Sequence, residues 1–370
     1  MGQPVVSALT DLDDDNLQQR VIAAGGKPFQ ARQVAHWVYR HGATTYEAMG
    51  NVPQALRAAL QQQMPVRSSH VATVDSAADG TDKLLVRLHD SQSVECVLIP
   101  DGERITLCVS SQVGCPVGCV FCASGMFGVV RNLTAGEIVE QVLHARDRLP
   151  EGRTITNLVV MGMGEPMLNL SALLPALRRL HDKDGIDMGA RRITVSTSGY
   201  PRQMAEFAEA DPSWNLAVSL HAGDDTLRKQ LVPTAKHPVR EIVAAATSYF
   251  AQKGREVTFE VVLLAQVNDR PQDAQALVDA LGRVPCTVNL IPWNPVEELA
   301  STGLRRPQTA SVDGFAESLR RGGLKVTVRR QRGADRSAAC GQLRVRDVKV
   351  HEHTPRPSAP SSPTKCQGPE

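Results

Sequence analysis

Three patterns of apolar and polar residues follow one another along the chain. Up to about residue 66 the apolar positions recur at helical spacing. In FQARQVAHWVYRHG, Val34, Trp37 and Val38 share one face. QALRAALQQQ follows Pro53, whose fixed φ suits a first helical turn. Trp37 is the expected core anchor of this small helical unit. From 67 to 110 the period shortens to two. HVATVDSA, KLLVRLHD and SVECVLIP are β-rich and separated by the turn signals ADGTDK and PDGER, which predicts antiparallel strands. From about 105 to 330 the two periods alternate. Strand patterns are ITLCVS, TNLVVMG, RITVST, WNLAVSL, VTFEVVL, CTVNLIP and LKVTVR. Helical patterns lie between them: AGEIVEQVLHARDRL, LSALLPALRRLH, PRQMAEFAEA, VREIVAAATSYFAQKG, PQDAQALVDALG and VDGFAESLRRGG. Repeated strand–helix units imply an α/β parallel sheet or barrel, with functional groups beyond the carboxyl ends of the strands. The last stretch, HEHTPRPSAPSSPTKCQGPE, has no apolar pattern and is expected to be disordered, its His351, His353 and Cys366 simply solvated.

Composition narrows the class. A chain of 370 residues with 42% hydrophobic and 22% charged residues is neither wholly disordered nor a disulfide-stapled miniprotein. Its length suits one large domain and a smaller one. Mean hydropathy is −0.20, and no apolar run approaches the roughly 20 residues of a membrane helix, so no membrane partner is expected. The start MGQPVVSALTDLDDDNLQQR has neither a basic n-region nor an apolar h-region, and Gly2 in so plain a setting lends little to a myristoylation reading. A cytoplasmic location follows as the expectation. Net charge of +2 decides nothing about partners, since local patches escape it.

Cysteine usage changes the picture more. Of Cys96, Cys108, Cys115, Cys119, Cys122, Cys286, Cys340 and Cys366, three form the run CPVGCVFC, spaced C-x3-C-x2-C after the strand ITLCVS. In a reducing compartment such clusters indicate metal or catalysis. Thiolates suit iron–sulfur clusters and zinc. Three ligands on a four-iron cubane leave one iron open. Zinc sites usually come as two separated pairs, and a second C-x2-C is absent from the sequence. Cys96 and Cys286, in strands, read as core residues.

The cysteine loop at the head of a strand–helix series resembles the radical S-adenosylmethionine (SAM) superfamily. The further segments VVMGMGEPMLN, VSTSG, SLHA, NLIPWNP and SAACGQL, in this order, are similar to the RlmN/Cfr family, and CVSSQVGC, GEP and ACGQL to its RlmN branch. The resemblance runs from about 29 to 343. It implies a partial (βα)6 radical SAM barrel over 105–350, closed by a Cys340 loop. An N-terminal α-helical accessory region for RNA (1–66), an antiparallel β extension (67–104) and a disordered tail (351–370) complete the expected organisation. Cys115, Cys119 and Cys122 would hold a 4Fe-4S cluster whose open iron chelates SAM. Gly164, Glu165, Ser196, Ser219, Leu220, His221 and Asn294 match the family's SAM-binding positions. Taken singly, His221 would read as a structural histidine, and Ser196 or Asn294 as ordinary loop residues.

The resemblance also assigns Cys340 as methyl carrier, Cys108 as its redox partner and Glu95 as proton acceptor. Two SAM molecules would be used per turnover, one to methylate Cys340 and one to give a 5′-deoxyadenosyl radical. The implied product is adenine methylated at C2, in 23S rRNA at the peptidyl transferase centre and in tRNA at the purine 3′ of the anticodon. A flavodoxin or ferredoxin would donate the electron, and the enzyme would act as a monomer. Two other readings stand beside this one: a C8 methyltransferase of the Cfr branch, and a noncatalytic iron–sulfur or zinc RNA-binding protein. Arg329, Arg330 and Arg332 in VRRQRGADR read either as phosphate contacts beside Cys340 or as a solvated strand end, and Arg32, Arg40 and Arg57 as solvated or RNA-facing. After Asn294, PVEELASTGLRRP departs from the family's Gly/Pro-rich run, which leaves the RNA contacts of that segment open.

Overall fold

The computed structural model describes residues 8–210, 212–329, 333 and 338–343. Gly2, Arg330, Arg332, His351, His353 and Cys366 lie outside the described residues, as does the expected tail. Helices α1 (Asp14–Ala23), α2 (Pro28–Tyr39) and α3 (Gln54–Gln63) come first. α1 was not among the expected elements. Its run DDNLQQRVIA is mostly polar, but Asp13 caps it by accepting from Asn16 N at 2.7 Å, and Leu17 and Val21 bury one stripe. α2 buries Ala31, Val34, Ala35 and Val38. Trp37 corrects the expectation of a core anchor. It sits at the margin of that stripe, half-buried, where its indole N–H can donate to Asn51 Oδ1 at 2.6 Å. Arg32 and Arg40 are exposed, and Arg57 Nη1 donates to Glu47 O at 2.7 Å.

A ten-stranded sheet carries the rest. Its first part is the antiparallel series β1 (His70–Ser76), β2 (Asp82–Arg87), β3 (Ser93–Asp101) and β4 (Arg104–Cys108). A separate hairpin of β5 (Gln112–Gly114) and β6 (Val129–Asn132) brackets the cysteine run. Then follow α4 (Ala135–Arg146), β7 (Asn157–Val160), α5 (Leu170–His181), β8 (Ile193–Thr197), α6 (Pro201–Glu209) and β9 (Asn215–Ser219). After them come α7 (Asp225–Leu231), α8 (Val239–Lys253), β10 (Val257–Leu263), α9 (Pro271–Leu281), β11 (Cys286–Pro292), α10 (Thr309–Arg321) and β12 (Lys325–Val328). The strand order is β1-β2-β3-β4-β7-β8-β9-β10-β11-β12. β4 is the pivot: antiparallel to β3, it pairs in parallel with β7, and every later pair is parallel. Six strand–helix units therefore run from β4 to β12, and among the described residues the edge strands β1 and β12 do not pair with each other.

One core joins the helical unit, the sheet and its covering helices. The seam is polar. Glu140 on α4 accepts from Ser68 N at 2.8 Å and Ser69 N at 2.9 Å, and from the hydroxyls of Thr10 and Ser69. Arg67 Nη1 pairs with Asp147 Oδ2 at 2.6 Å beside it. Among the described residues no helix is long and apolar enough to cross a membrane.

Candidate active site

The cysteine run leaves β5 through Gly114 and is held on all sides by backbone and side-chain bonds. Cys115 N donates to Gly128 O at 2.9 Å, Val120 N to Leu231 O at 3.0 Å, and Trp293 Nε1 to Phe121 O at 2.9 Å. A second apolar cluster, with Val117, Phe121, Leu231 and Trp293 at its heart, packs against Cys115, Cys119 and Cys122. The loop turns tightly on itself: a Cβ on Gly125 would lie 2.8 Å from Gly118 Cα. All seven described cysteines are free. Burial pushes the Cys115 thiol up to about 12 and raises Cys119 and Cys122 as well. Buried thiols of this kind ionise when a bound cation supplies the missing countercharge.

Among the described residues no group of three or more His, Cys, Asp or Glu is placed to hold a single metal ion. The three thiols nonetheless line one cavity. That arrangement suits a cubane, in which each thiolate binds a different iron, better than one tetrahedral zinc. Cys115, Cys119 and Cys122 are the residues that would hold the cluster.

The cavity in front of them is open to solvent. Its rim is built from strand ends: Gly164 and Glu165 after β7, Ser196 on β8, Ser219 and His221 at β9, Asn294 after β11. Gly164 has φ 109°, and a Cβ there would meet Gln112 N at 2.8 Å. Glu165 is buried. Its Oε2 accepts from Ser198 N and Oγ, both at 2.8 Å, and its Oε1 from Met167 N at 3.1 Å. Burial still holds its carboxyl above the usual range. Ser196 and Ser219 place their hydroxyls 3.4 Å apart. His221 adopts φ 66° and stands edge-on to Phe121, with ring centroids 4.8 Å apart. Its Nδ1 accepts from Val262 N at 3.2 Å, so the ring proton sits on Nε2, and burial lowers its pKa to about 3. Leu220 differs from the other rim candidates: its side chain is fully buried in the main core and does not line this cavity, while its N–H donates to Glu260 O at 3.0 Å.

A second cavity adjoins the first and shares Cys122, Asn294, Arg329, Cys340 and Gly341 with it. Cys108, at the end of β4, and Cys340 both line it, with Val97, Ile99 and Val159. The Cys340 loop is tied to the cysteine run, Ala123 N donating to Gly341 O at 2.8 Å and Ser124 Oγ to Leu343 O at 2.6 Å. Asn294 Nδ2 donates to Cys340 O at 3.2 Å, and Arg306 Nη1 holds Asn294 Oδ1 at 3.0 Å. Arg306 thus gives the divergent segment after Asn294 a structural task. Burial pushes the Cys108 thiol up to about 12, and the Arg329 guanidinium opposes that rise.

Glu95 is buried on β3 but lines neither cavity. It lies on the strand face of Val97 and Ile99, which do, and pairs with Lys83 Nζ at 3.1 Å. Cys96 points to the other face and Cys286 opens β11, both in the core. Arg329 is not a solvated strand end: it borders both cavities, where Cys340, Glu260 and Cys108 raise its pKa. The sequence reading missed Glu260, Ser198 and Lys83. For Glu260 a signal existed, a lone carboxylate inside the apolar run VTFEVVL.

Comparison with known proteins agrees with this layout. Residues 7–66 match the ribosomal RNA large subunit methyltransferase N-terminal domain, and residues 109–278 match the radical SAM superfamily. The chain is 44% identical over 344 residues to "Dual-specificity RNA methyltransferase RlmN" of Anaeromyxobacter sp., covering 90% of each chain. It is 44% identical over 331 residues to "Probable dual-specificity RNA methyltransferase RlmN" of Rhodopirellula baltica, covering 89% of this chain and 88% of the other. A crystal structure of a radical SAM methyltransferase from Sphaerobacter thermophilus superposes with a TM-score of 0.88 at 46% identity, over 91% of this chain and 99% of that one.

Proposed function

The chain belongs to the RlmN family of dual-specificity radical SAM RNA methyltransferases, and on that premise we propose that it methylates C2 of adenine, in 23S rRNA at the peptidyl transferase centre and in tRNA at the purine 3′ of the anticodon. The observation that carries this reading is the pair Cys108 and Cys340 in one cavity, opening onto the cavity of the three-cysteine loop. A binding protein needs neither of those two thiols. C2 of adenine is not nucleophilic, so direct transfer from SAM has no route, and a carrier thiol supplies one.

Cys115, Cys119 and Cys122 would hold a 4Fe-4S cluster, which would supply the one electron that starts radical chemistry on a bound SAM. Gly164, Glu165, Ser196, Ser219, His221 and Asn294 orient that SAM, Leu220 acting only through its backbone. Cys340 first takes a methyl group from another SAM, its sulfur attacking the sulfonium methyl. The Cys340 methyl group would then give up a hydrogen atom to the carbon radical derived from the second SAM, leaving 5′-deoxyadenosine, and its CH2 carbon would add to C2. Glu95 takes the C2 proton. The Cys108 sulfur finally attacks Cys340 Sγ; the S–CH2 bond breaks, its electron pair stays with the carbon, which takes up a proton, and methyladenine leaves behind a Cys108–Cys340 disulfide, a step that needs an accessible thiolate. Residues 1–66 and the β extension 67–104 serve as RNA-binding accessories to the core 105–350. A flavodoxin- or ferredoxin-type protein donates the electron, and the enzyme works as a monomer in the cytoplasm.

The Cys108→Ala variant tests the assignment. It still forms the carbon–carbon bond but cannot release product, so a protein–RNA adduct through Cys340 accumulates. Nuclease trimming and mass spectrometry of the Cys340 peptide read it out. Normal turnover by this variant contradicts the role given to Cys108.

A further inference from the structure

The sheet register draws a line of side chains across one face. Asp75 on β1 pairs with Lys83 on β2, Lys83 with Val97 on β3, Val97 with Cys108 on β4, and Cys108 with Val159 on β7. Directly paired residues share a face. Val97, Cys108 and Val159 are the part of this row that lines the Cys108–Cys340 cavity. Lys83 is its continuation outward, and Glu95, two residues before Val97 on β3, points to the same side. Lys83 Nζ lies 3.1 Å from Glu95 Oε1 and 3.8 Å from Asp75 Oδ2. The Lys83 side chain is only 12% exposed and that of Glu95 6%, whereas Asp75 is 52% exposed.

A lysine so far out of water is costly unless paired. Here it faces inward to Glu95 and outward to Asp75, so the ammonium joins a buried carboxylate to one at the surface. Cys108 continues the same face, with Arg329 and Cys340 beyond it, and Arg87 and Asp101 lie toward the ends of this face on β2 and β3. Cys96 lies behind Glu95 on the opposite face.

We infer that Lys83 is a positioning residue for Glu95: it fixes the carboxylate on the cavity side of β3 and keeps it ionised to receive the C2 proton. This rests on the reading of Glu95 as proton acceptor. In the step concerned the C2–H bond of the adduct radical breaks, its electron pair stays in the ring, the proton passes to a Glu95 oxygen, and the one excess electron then leaves to a one-electron acceptor of the iron–sulfur class, which restores aromaticity. A base shifted by about 1 Å loses on the order of 100-fold in rate, so an anchor on a rigid neighbouring strand has a large lever.

The test uses the full chain, loaded with cluster, in the Cys108→Ala background, where the stable Cys340–RNA adduct forms after C2 deprotonation. Substrate RNA carries protium or deuterium at C2. Lys83→Met slows adduct formation by roughly 10- to 100-fold and raises the deuterium isotope effect above that of the parent. 5′-Deoxyadenosine formation stays at the parental value when measured below the variant's lowered melting temperature, and Lys83→Arg restores rate and isotope effect. Lys83→Gln, neutral but able to hydrogen-bond, carries the same test should Lys83→Met fail to fold. Parental rate and isotope effect in the folded neutral variant, with both altered in Glu95→Gln, overturn the inference alone. Parental behaviour in Glu95→Gln overturns the base assignment and the inference with it.

Discussion

Glu140 at the seam and Glu165 at the cavity are buried carboxylates of the same make. Each accepts two backbone N–H groups and at least one hydroxyl. In each, burial outweighs those bonds and holds the carboxyl above its usual range. They differ in what lies in front of them. Donors from two chain segments cover Glu140, Thr10 from one and Ser68 and Ser69 from the other. Glu165 has one side on the cavity shared with Cys115 and Cys119. Neither hydrogen bonding nor a displaced pKa separates a structural carboxylate from a functional one; the open side does. Substitutions at the seam should therefore cost stability and spare ligand binding, and substitutions at the cavity the reverse.

The largest effect is expected at the cavity. Replacing Cys115, Cys119 or Cys122 by Ala should abolish the brown colour of anaerobically purified protein and all methylation, while thermal melting of the cluster-free chain stays unchanged. At the seam, Glu140→Ala removes the acceptor of two backbone donors and three hydroxyls. At roughly 1–3 kcal/mol for each unsatisfied group, with partial relaxation, about 3 kcal/mol of stability should be lost in urea unfolding. SAM affinity should be unaltered, and a weakened affinity would erase the contrast. Glu165→Ala and Asn294→Ala should do the opposite, weakening SAM binding by about 100-fold, or roughly 2.7 kcal/mol, with the cluster retained.

The smallest effect concerns pH. His144, beside Glu140 at the seam, is lowered to about 4, first by burial and then by Arg67. A histidine with a depressed folded pKa adds stability that is present above its unfolded pKa of about 6.5 and is lost as pH falls toward the folded value. Between pH 6.5 and 5 the wild type should lose about 2 kcal/mol more than His144→Asn. Parallel stability curves would show that the seam admits the proton.

Much of the fold was legible because periodicity reports burial. The helix over 170–181 and the strand over 257–263 appear as the pattern predicts. What escaped were elements whose buried stripe is thin. α1 exposes most of its DDNLQQRVIA sequence, and β5 and β6 are three and four residues long. Trp37 misled because residue type suggested a depth that its place on the helix does not give. At the site, the cysteine spacing announces itself locally. Lys83 does not, since it matters only through Glu95 on a neighbouring strand, and the local marks of Glu260 and Arg329 leave out their partners, Asn289 at 2.7 Å for the one and Cys108 and Cys340 for the other. Register joins them, and register is not written in any one segment.

The central claim is that carbon reaches adenine C2 by way of Cys340. It is tested most directly by loading Cys340 with a deuterated methyl group, removing free SAM, adding unlabelled SAM with substrate RNA for one turnover, and analysing the nucleosides by mass spectrometry. The account predicts 2-methyladenosine carrying the Cys340-derived deuterium, less the one atom removed during hydrogen abstraction. Unlabelled 2-methyladenosine, or a product methylated at C8, would contradict it.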